Sequence, residues 1–139
     1  GACRCTPEQQ ARYRQRLSAP LMDRIDLRIA VPPVPLSALT ASSDAPEPSA
    51  RVRERVQRAR NLQLARDGRL NADHDGQALL HALDKAGRDW LSRAGEQHGL
   101  SARACHRVLR VARTLADLAE ATAIRRQDLS EAMMFRNAG

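Results

Sequence analysis

The run SAPLMDRIDLRIAVP, residues 18–32, places Arg24 between two aspartates, Asp23 and Asp26, just ahead of an alternating apolar stretch. A guanidinium held by carboxylates has a fixed direction, and an oriented fork of donors is what charge on a transferring phosphoryl group requires. The plainer alternative is an ion pair that only tidies the entrance to a strand. A second candidate set is Arg103, Arg107 and Arg110, which recur at helical spacing beside the apolar series Ala104, Val108, Val111, Leu115 and Leu118. Such a stripe is either a solvated basic face or a phosphate contact at Arg103, in the first turn, where the helix dipole also favours anions.

These side chains need elements to hold them. Ser101 caps a helix to about Leu118, whose 4-3-4-3 apolar spacing buries one face. Ile25, Leu27, Ile29 and Val31 alternate with Asp26, Arg28 and Ala30, the period-two pattern of a strand with one buried face. One strand cannot satisfy its own backbone, so it needs a sheet that this chain does not obviously supply. Upstream, Thr6, Pro7 and Glu8 open a helix in TPEQQARYRQRL.

Five of the seven prolines, Pro32, Pro33, Pro35, Pro46 and Pro48, fall in PPVPLSALTASSDAPEPSA, which reads as a linker with at most a helical turn around residues 36–39. Beyond it the composition is helical. A long helix runs from Ser49 to about Asp67 and ends at Gly68, with a narrow stripe of Val52, Val56, Ala59 and Gln63 among Arg51, Arg53, Arg55, Arg58 and Arg60. A short helix follows near 76–83, and another runs from about Asp84 to His98 around Trp90, Leu91 and Ala94, closed by Gly99. A last helix covers about 125–136. The expected organisation is a first unit over 1–35, a linker over 36–48 and a helical domain over 49–139.

A chain of 139 residues suffices for one ordinary domain or for part of a larger protein. With only 2% aromatic residues and an apolar share that is mostly Ala and Leu, thin helical packing is favoured over a sandwich or barrel. All the basic residues but Lys85 are arginine, and the net charge is +7. That balance suits a polyanion, either nucleic acid or the phosphates of a nucleotide, although a GC-rich genome also writes arginine freely. Cys3, Cys5 and Cys105 are too few for a disulfide framework. No apolar run approaches a membrane span and GACRCTPEQQ is no signal peptide, so a cytoplasmic location is expected. The chain also begins abruptly, as though cut from a longer one. Cys105 reads as a small core residue, and His74, His81, His98 and His106 show no ligand spacing.

Three segments, CRCTPEQQARYRQRLSAPLMDRIDLRIAVPPVP, VRERVQRARNLQLARDGRLNA and LSARACHRVLRVARTLADL, stand in the order found in a known family. Together they resemble the C-terminal part of the magnesium-chelatase-like AAA+ ATPases, in the ComM (YifB-type) competence branch. The resemblance implies a mainly α fold: a helical lid bundle preceded by a short helix and one strand left from the AAA+ α/β core. It implies that Arg24 is an arginine finger acting in trans on the γ-phosphate held by a neighbouring subunit, and that Arg103 is the sensor 2 arginine of the lid, acting in cis. Arg107 and Arg110 are further candidates for DNA or phosphate contacts.

For the whole protein the resemblance implies ATP and magnesium as cofactors, an upstream AAA+ core, a hexameric ring, and helicase action on DNA in branch migration during natural transformation. Cys3 and Cys5 would be half of a four-ligand zinc site completed upstream, so no zinc is expected on these residues alone. The chain has no G-x-x-x-x-G-K-[ST] loop and no apolar strand ending in paired acidic residues, so it is not expected to hydrolyse ATP by itself. The basic helix from Ser49 either faces DNA or stays solvated.

A competing reading takes AGEQHGLSARACHRVLRVA as a helix-turn-helix, with Gly95 at the close approach, Gly99 in the turn, and Cys105 and Val108 on the apolar side of the second helix. Arg103, His106, Arg107 and Arg110 would then lie near a surface entering the major groove. Arg24 separates the readings, since a DNA reader has no use for it. A packing domain with no specific arginine role is the third alternative.

Overall fold

The computed structural model describes residues 4–16, 18–22, 24–35 and 47–137. Helix α1 spans Pro7–Gln15 and α2 spans Ala19–Met22. Thr6 and Gln9 close a reciprocal box at the start of α1: the Gln9 amide donates to Thr6 Oγ1 at 3.3 Å and the Thr6 amide to Gln9 Oε1 at 2.9 Å. Every residue of α1 whose side chain is described is exposed, so this helix is held by its cap rather than by a core.

The helical domain consists of α3 (Ser49–Asp67), a 3-10 turn (Asn71–Asp73), α4 (Gly76–Ala82), α5 (Lys85–Gln97), α6 (Ala102–Leu118) and α7 (Arg126–Asn137). Its boundaries follow local chemistry. Asp75, Asp84 and Ser101 accept amide hydrogen bonds that the first turns of α4, α5 and α6 would otherwise leave unmade. Gly68 and Gly99 stop α3 and α5 at φ +67° and +60°, a region that costs glycine nothing. At the start of α3 the cap position belongs to Pro48, which makes no side-chain bond, and not to Ser49 as expected.

Helix α6 is central and packs on α3, α4, α7 and the 3-10 turn. The core comprises Leu79, Leu83, Leu91, Val108, Leu109, Ala112, Leu129, Ala132 and Met133. The row of α6 that is fully enclosed is Ala104, Val108, Ala112 and Ala116, with Leu109 beside it. Of the expected stripe, Val111, Leu115 and Leu118 are only half-buried. That stripe crosses from one i, i+4 row to the next, and only the first row is surrounded by helices. Along α3, Ala59 and Gln63 are buried whereas Val52 and Val56 are exposed, so the first half of this helix projects beyond the bundle.

Among the described residues no strand forms. The alternating segment from Ile25 to Val31 has no ladder partner, and its apolar side chains become steadily more open, from 38% at Ile25 to 86% at Val31. The period-two pattern was there, but a strand exists only when a second backbone meets it. One tie replaces the ladder: the Arg28 amide donates to the Phe135 carbonyl at 2.8 Å, satisfying an oxygen that the end of α7 leaves unbonded. The expected linker residues 36–46, with their helical turn, lie outside the described residues, as do Cys3 and Asp23.

Candidate functional site

Helix α6 presents Arg103, His106, Arg107 and Arg110 at i, i+3, i+4 and i+7, which puts all four on one side. Facing them is the turn that follows α2, where the Arg24 amide donates to the Leu21 carbonyl at 3.0 Å. Arg24 and these four α6 side chains line one open pocket of about 510 Å³, with four guanidiniums and no carboxylate in its wall. Arg24 and Arg103 also line an adjoining concavity with Ser101 and Arg136. Two arginines distant in sequence are thus brought together.

The members of the pocket are held differently. Arg107, 17% exposed, donates to the Arg24 carbonyl at 2.6 Å and pairs with Asp26. Arg110 donates through Nε to the His74 carbonyl at 2.9 Å. Asp26 therefore serves Arg107, and the expected bracket of carboxylates around Arg24 is not what orients it; its other half, Asp23, lies outside the described residues. Among the described residues the Arg24 and Arg103 guanidiniums have no hydrogen-bond or ion-pair partner, which leaves their forks available to an anion.

His106, which showed no ligand spacing and was placed beside these arginines only in the helix-turn-helix reading, belongs to the pocket. Gly76 at the start of α4 presses on it. A Cβ at position 76 would come within 2.2 Å of His106 Cβ, so only glycine allows this approach. The surface a major-groove reader would have to offer is partly taken, because the backbone at Arg24 and the side chain of Asp26 cover Arg107.

A second polar cluster, also missed from sequence, joins the end of α3 to the last turns of α6. Asp117, 2% exposed, accepts from Arg66 at 2.7 and 3.1 Å and from Asn71 at 2.8 Å, and pairs with Arg113 at 2.9 Å. Burial alone raises its carboxyl, but the bonds from Arg66 and Asn71 and the charges of Arg113 and Arg66 outweigh it, so the group lies below its ordinary value. Arg113 in turn donates to the carbonyls of Ala121 and Thr122 at the turn after α6. Local spacing signals only the i, i+4 pair of Arg113 and Asp117; the bond from Arg66, 51 residues away, has no local signal.

Cys5 is exposed, and Cys105 is a half-buried thiol that burial pushes up. Among the described residues no group of three His, Cys, Asp or Glu is placed to hold a metal ion. No helix among them is long and apolar enough to cross a membrane.

A mainly helical domain of this kind, with a basic pocket made jointly by its central helix and the segment ahead of it, has the architecture of a C-terminal helical lid. The chain belongs to the magnesium chelatase family: residues 46–136 match the magnesium chelatase subunit ChlI C-terminal family, and residues 1–39 match the magnesium chelatase subunit ChlI family. It is 42% identical over 135 residues to YifB of Escherichia coli, covering 96% of this chain and 27% of that protein. It is 40% identical over 135 residues to competence protein ComM of Haemophilus influenzae, covering 96% and 26%. With YifB of Salmonella typhimurium it shares 42% over 138 residues, covering 96% and 27%. The chain spans about a quarter of the length of these relatives.

Proposed function

We propose that the chain is the C-terminal part of an ATP-driven AAA+ motor of the ComM type, in which Arg24 and Arg103 contact the phosphates of a nucleotide held at a subunit interface. The observation that carries this reading is the shared pocket, in which two guanidiniums from separate elements, neither with a partner among the described residues, converge. The pocket suits the phosphoryl end of a nucleotide, because forked donors without competing carboxylates match its oxygens. ATP bound there would supply the phosphoryl group, and the arginines would neutralise charge as it builds during transfer. The phosphate-cradling loop and the ligands for magnesium belong to the remaining length of the protein.

A division of labour with Arg24 in trans and Arg103 in cis requires the two side chains to face different nucleotides. Their common pocket favours instead that both serve the same one. The name of the Haemophilus influenzae relative supports a role in competence, and we assign the motor a hexameric ring acting on DNA, in branch migration during natural transformation.

The test uses a full-length protein carrying this segment. Arg24→Ala and Arg103→Ala should each lower ATP hydrolysis, Arg24→Ala on the order of 10³-fold. Mixing each variant with subunits whose phosphate loop is disabled reads the geometry. Recovery by both variants supports one shared nucleotide, recovery by Arg24→Ala alone restores the cis and trans division, and unchanged hydrolysis in both overturns the proposal.

A further inference from the structure

Helices α5 and α7 enclose a second open groove, of about 700 Å³, lined among others by Trp90, Arg93, Gln97, His98, Arg126 and Met134. It shares no lining residue with the pocket of Arg24 and Arg103. Trp90, Arg93, Ala94 and Gln97 follow i, i+3, i+4, i+7 spacing on α5, and Arg126, Ser130 and Met134 follow i, i+4, i+8 on α7. Each wall is therefore one face of a helix.

The chemistry of the walls is specific in combination. Trp90, the sole tryptophan of the chain, packs against the core while lining the groove. Arg93 and Arg126 are exposed, and neither forms an ion pair among the described residues, whereas the neighbouring Arg125 is engaged by Asp128. No carboxylate lines the groove. A planar aromatic surface flanked by uncommitted guanidiniums takes a ligand that offers π faces and anions at short intervals. Single-stranded nucleic acid does this, stacking bases on aromatic rings and running phosphates past arginines. An acidic peptide would satisfy the arginines but leave Trp90 without a stacking partner.

We propose that this groove is a binding site for single-stranded DNA, with a base stacked on Trp90 and phosphates at Arg93 and Arg126. It stands on other residues than the nucleotide pocket and is independent of it.

The sole tryptophan makes the test direct. The 139-residue chain is titrated with a thymidine oligomer of about 15 nucleotides, within the span such grooves occupy, following tryptophan emission and fluorescence anisotropy of a labelled strand together. Emission should be quenched in step with binding. The exposed double variant Arg93→Gln/Arg126→Gln should bind about tenfold or more weakly, and its log–log salt slope should flatten by about 1.4, from two phosphate contacts at about 0.7 each. Trp90→Leu, checked for folding by circular dichroism, should also bind about tenfold more weakly. Arg24→Ala/Arg103→Ala should leave quenching intact, so failure here is separable from failure of the nucleotide reading. Binding without quenching, equal quenching by polyglutamate, or undiminished affinity in the double arginine variant would overturn the proposal.

Discussion

Along α6, Arg107 is tied to the carbonyl of Arg24, Arg110 to that of His74, and Arg113 to those of Ala121 and Thr122. Along the first three turns of α3, Arg51, Arg53 and Arg60 are exposed, while Arg55 and Arg58 meet only the exposed Glu47 and Glu120. Both helices are arginine-rich at similar spacing, so what separates them is position in the bundle. Helix α6 is surrounded by turns whose carbonyls need donors, and α3 buries only Ala59 and Gln63. Its last turn proves the rule, because Arg66 reaches the bundle and is fixed on Asp117. An arginine is fixed where the bundle brings an oxygen within reach, from a backbone carbonyl or a buried carboxylate, whereas Arg24 and Arg103 of the candidate pocket meet none among the described residues.

The strongest challenge to this contrast is Asp117→Ala, which removes the joint between the end of α3 and α6. It takes the carboxylate from the buried Arg113 and one of two acceptors from the Asn71 amide, and should lower the unfolding free energy in urea by about 3 kcal/mol. The same group sets a pH dependence. Asp117 and Asp128 lie below their ordinary values, so their contribution is full above the unfolded carboxyl value of about 3.9 and is lost as pH falls through the lowered folded values. Stability should thus drop below about pH 4, less steeply in the variant; equal slopes would remove Asp117 as the joint.

Next in size is Gly76→Ala. The added Cβ meets His106 at both Cβ and Cα, so trimming the imidazole gives only partial relief, and thermal unfolding should report a loss of about 2 kcal/mol. A neutral result would mean that α4 can retreat and that the wall of the arginine pocket is softer than that of a packed core. The smallest effect belongs to Arg51→Gln/Arg53→Gln/Arg60→Gln, which should change stability by no more than about 0.5 kcal/mol. A loss above about 1 kcal/mol would erase the distinction between the two helices.

The helices were legible because their signals are local: Ser101 caps α6, and Gly68 and Gly99 end helices, whereas apolar spacing marked the buried faces only in part, with Ala104 and Val108 enclosed but Val52 and Val56 exposed. Half of the site was legible too, since Arg103, Arg107 and Arg110 share a helix side by period alone. Their meeting with Arg24 was not, because it depends on how α2 and the following turn fold back across some 80 residues of chain. Asp26 illustrates the limit. Sequence adjacency paired it with Arg24, whereas the fold brings Arg107 closer. The strand at Ile25 to Val31 failed for the opposite reason: the local pattern was sound, and the partner it presupposes is not among the described residues.

The tie from the Arg28 amide to the Phe135 carbonyl, with that of Arg107 to Arg24, attaches the stretch ahead of the linker directly to α7 and α6. In mechanical terms the stretch from Arg24 to Arg28 is held to the helices through space as well as through the covalent chain. A displacement of Arg24 is therefore felt at the last turn of α7 and in the second turn of α6, far along the sequence from Arg24 itself.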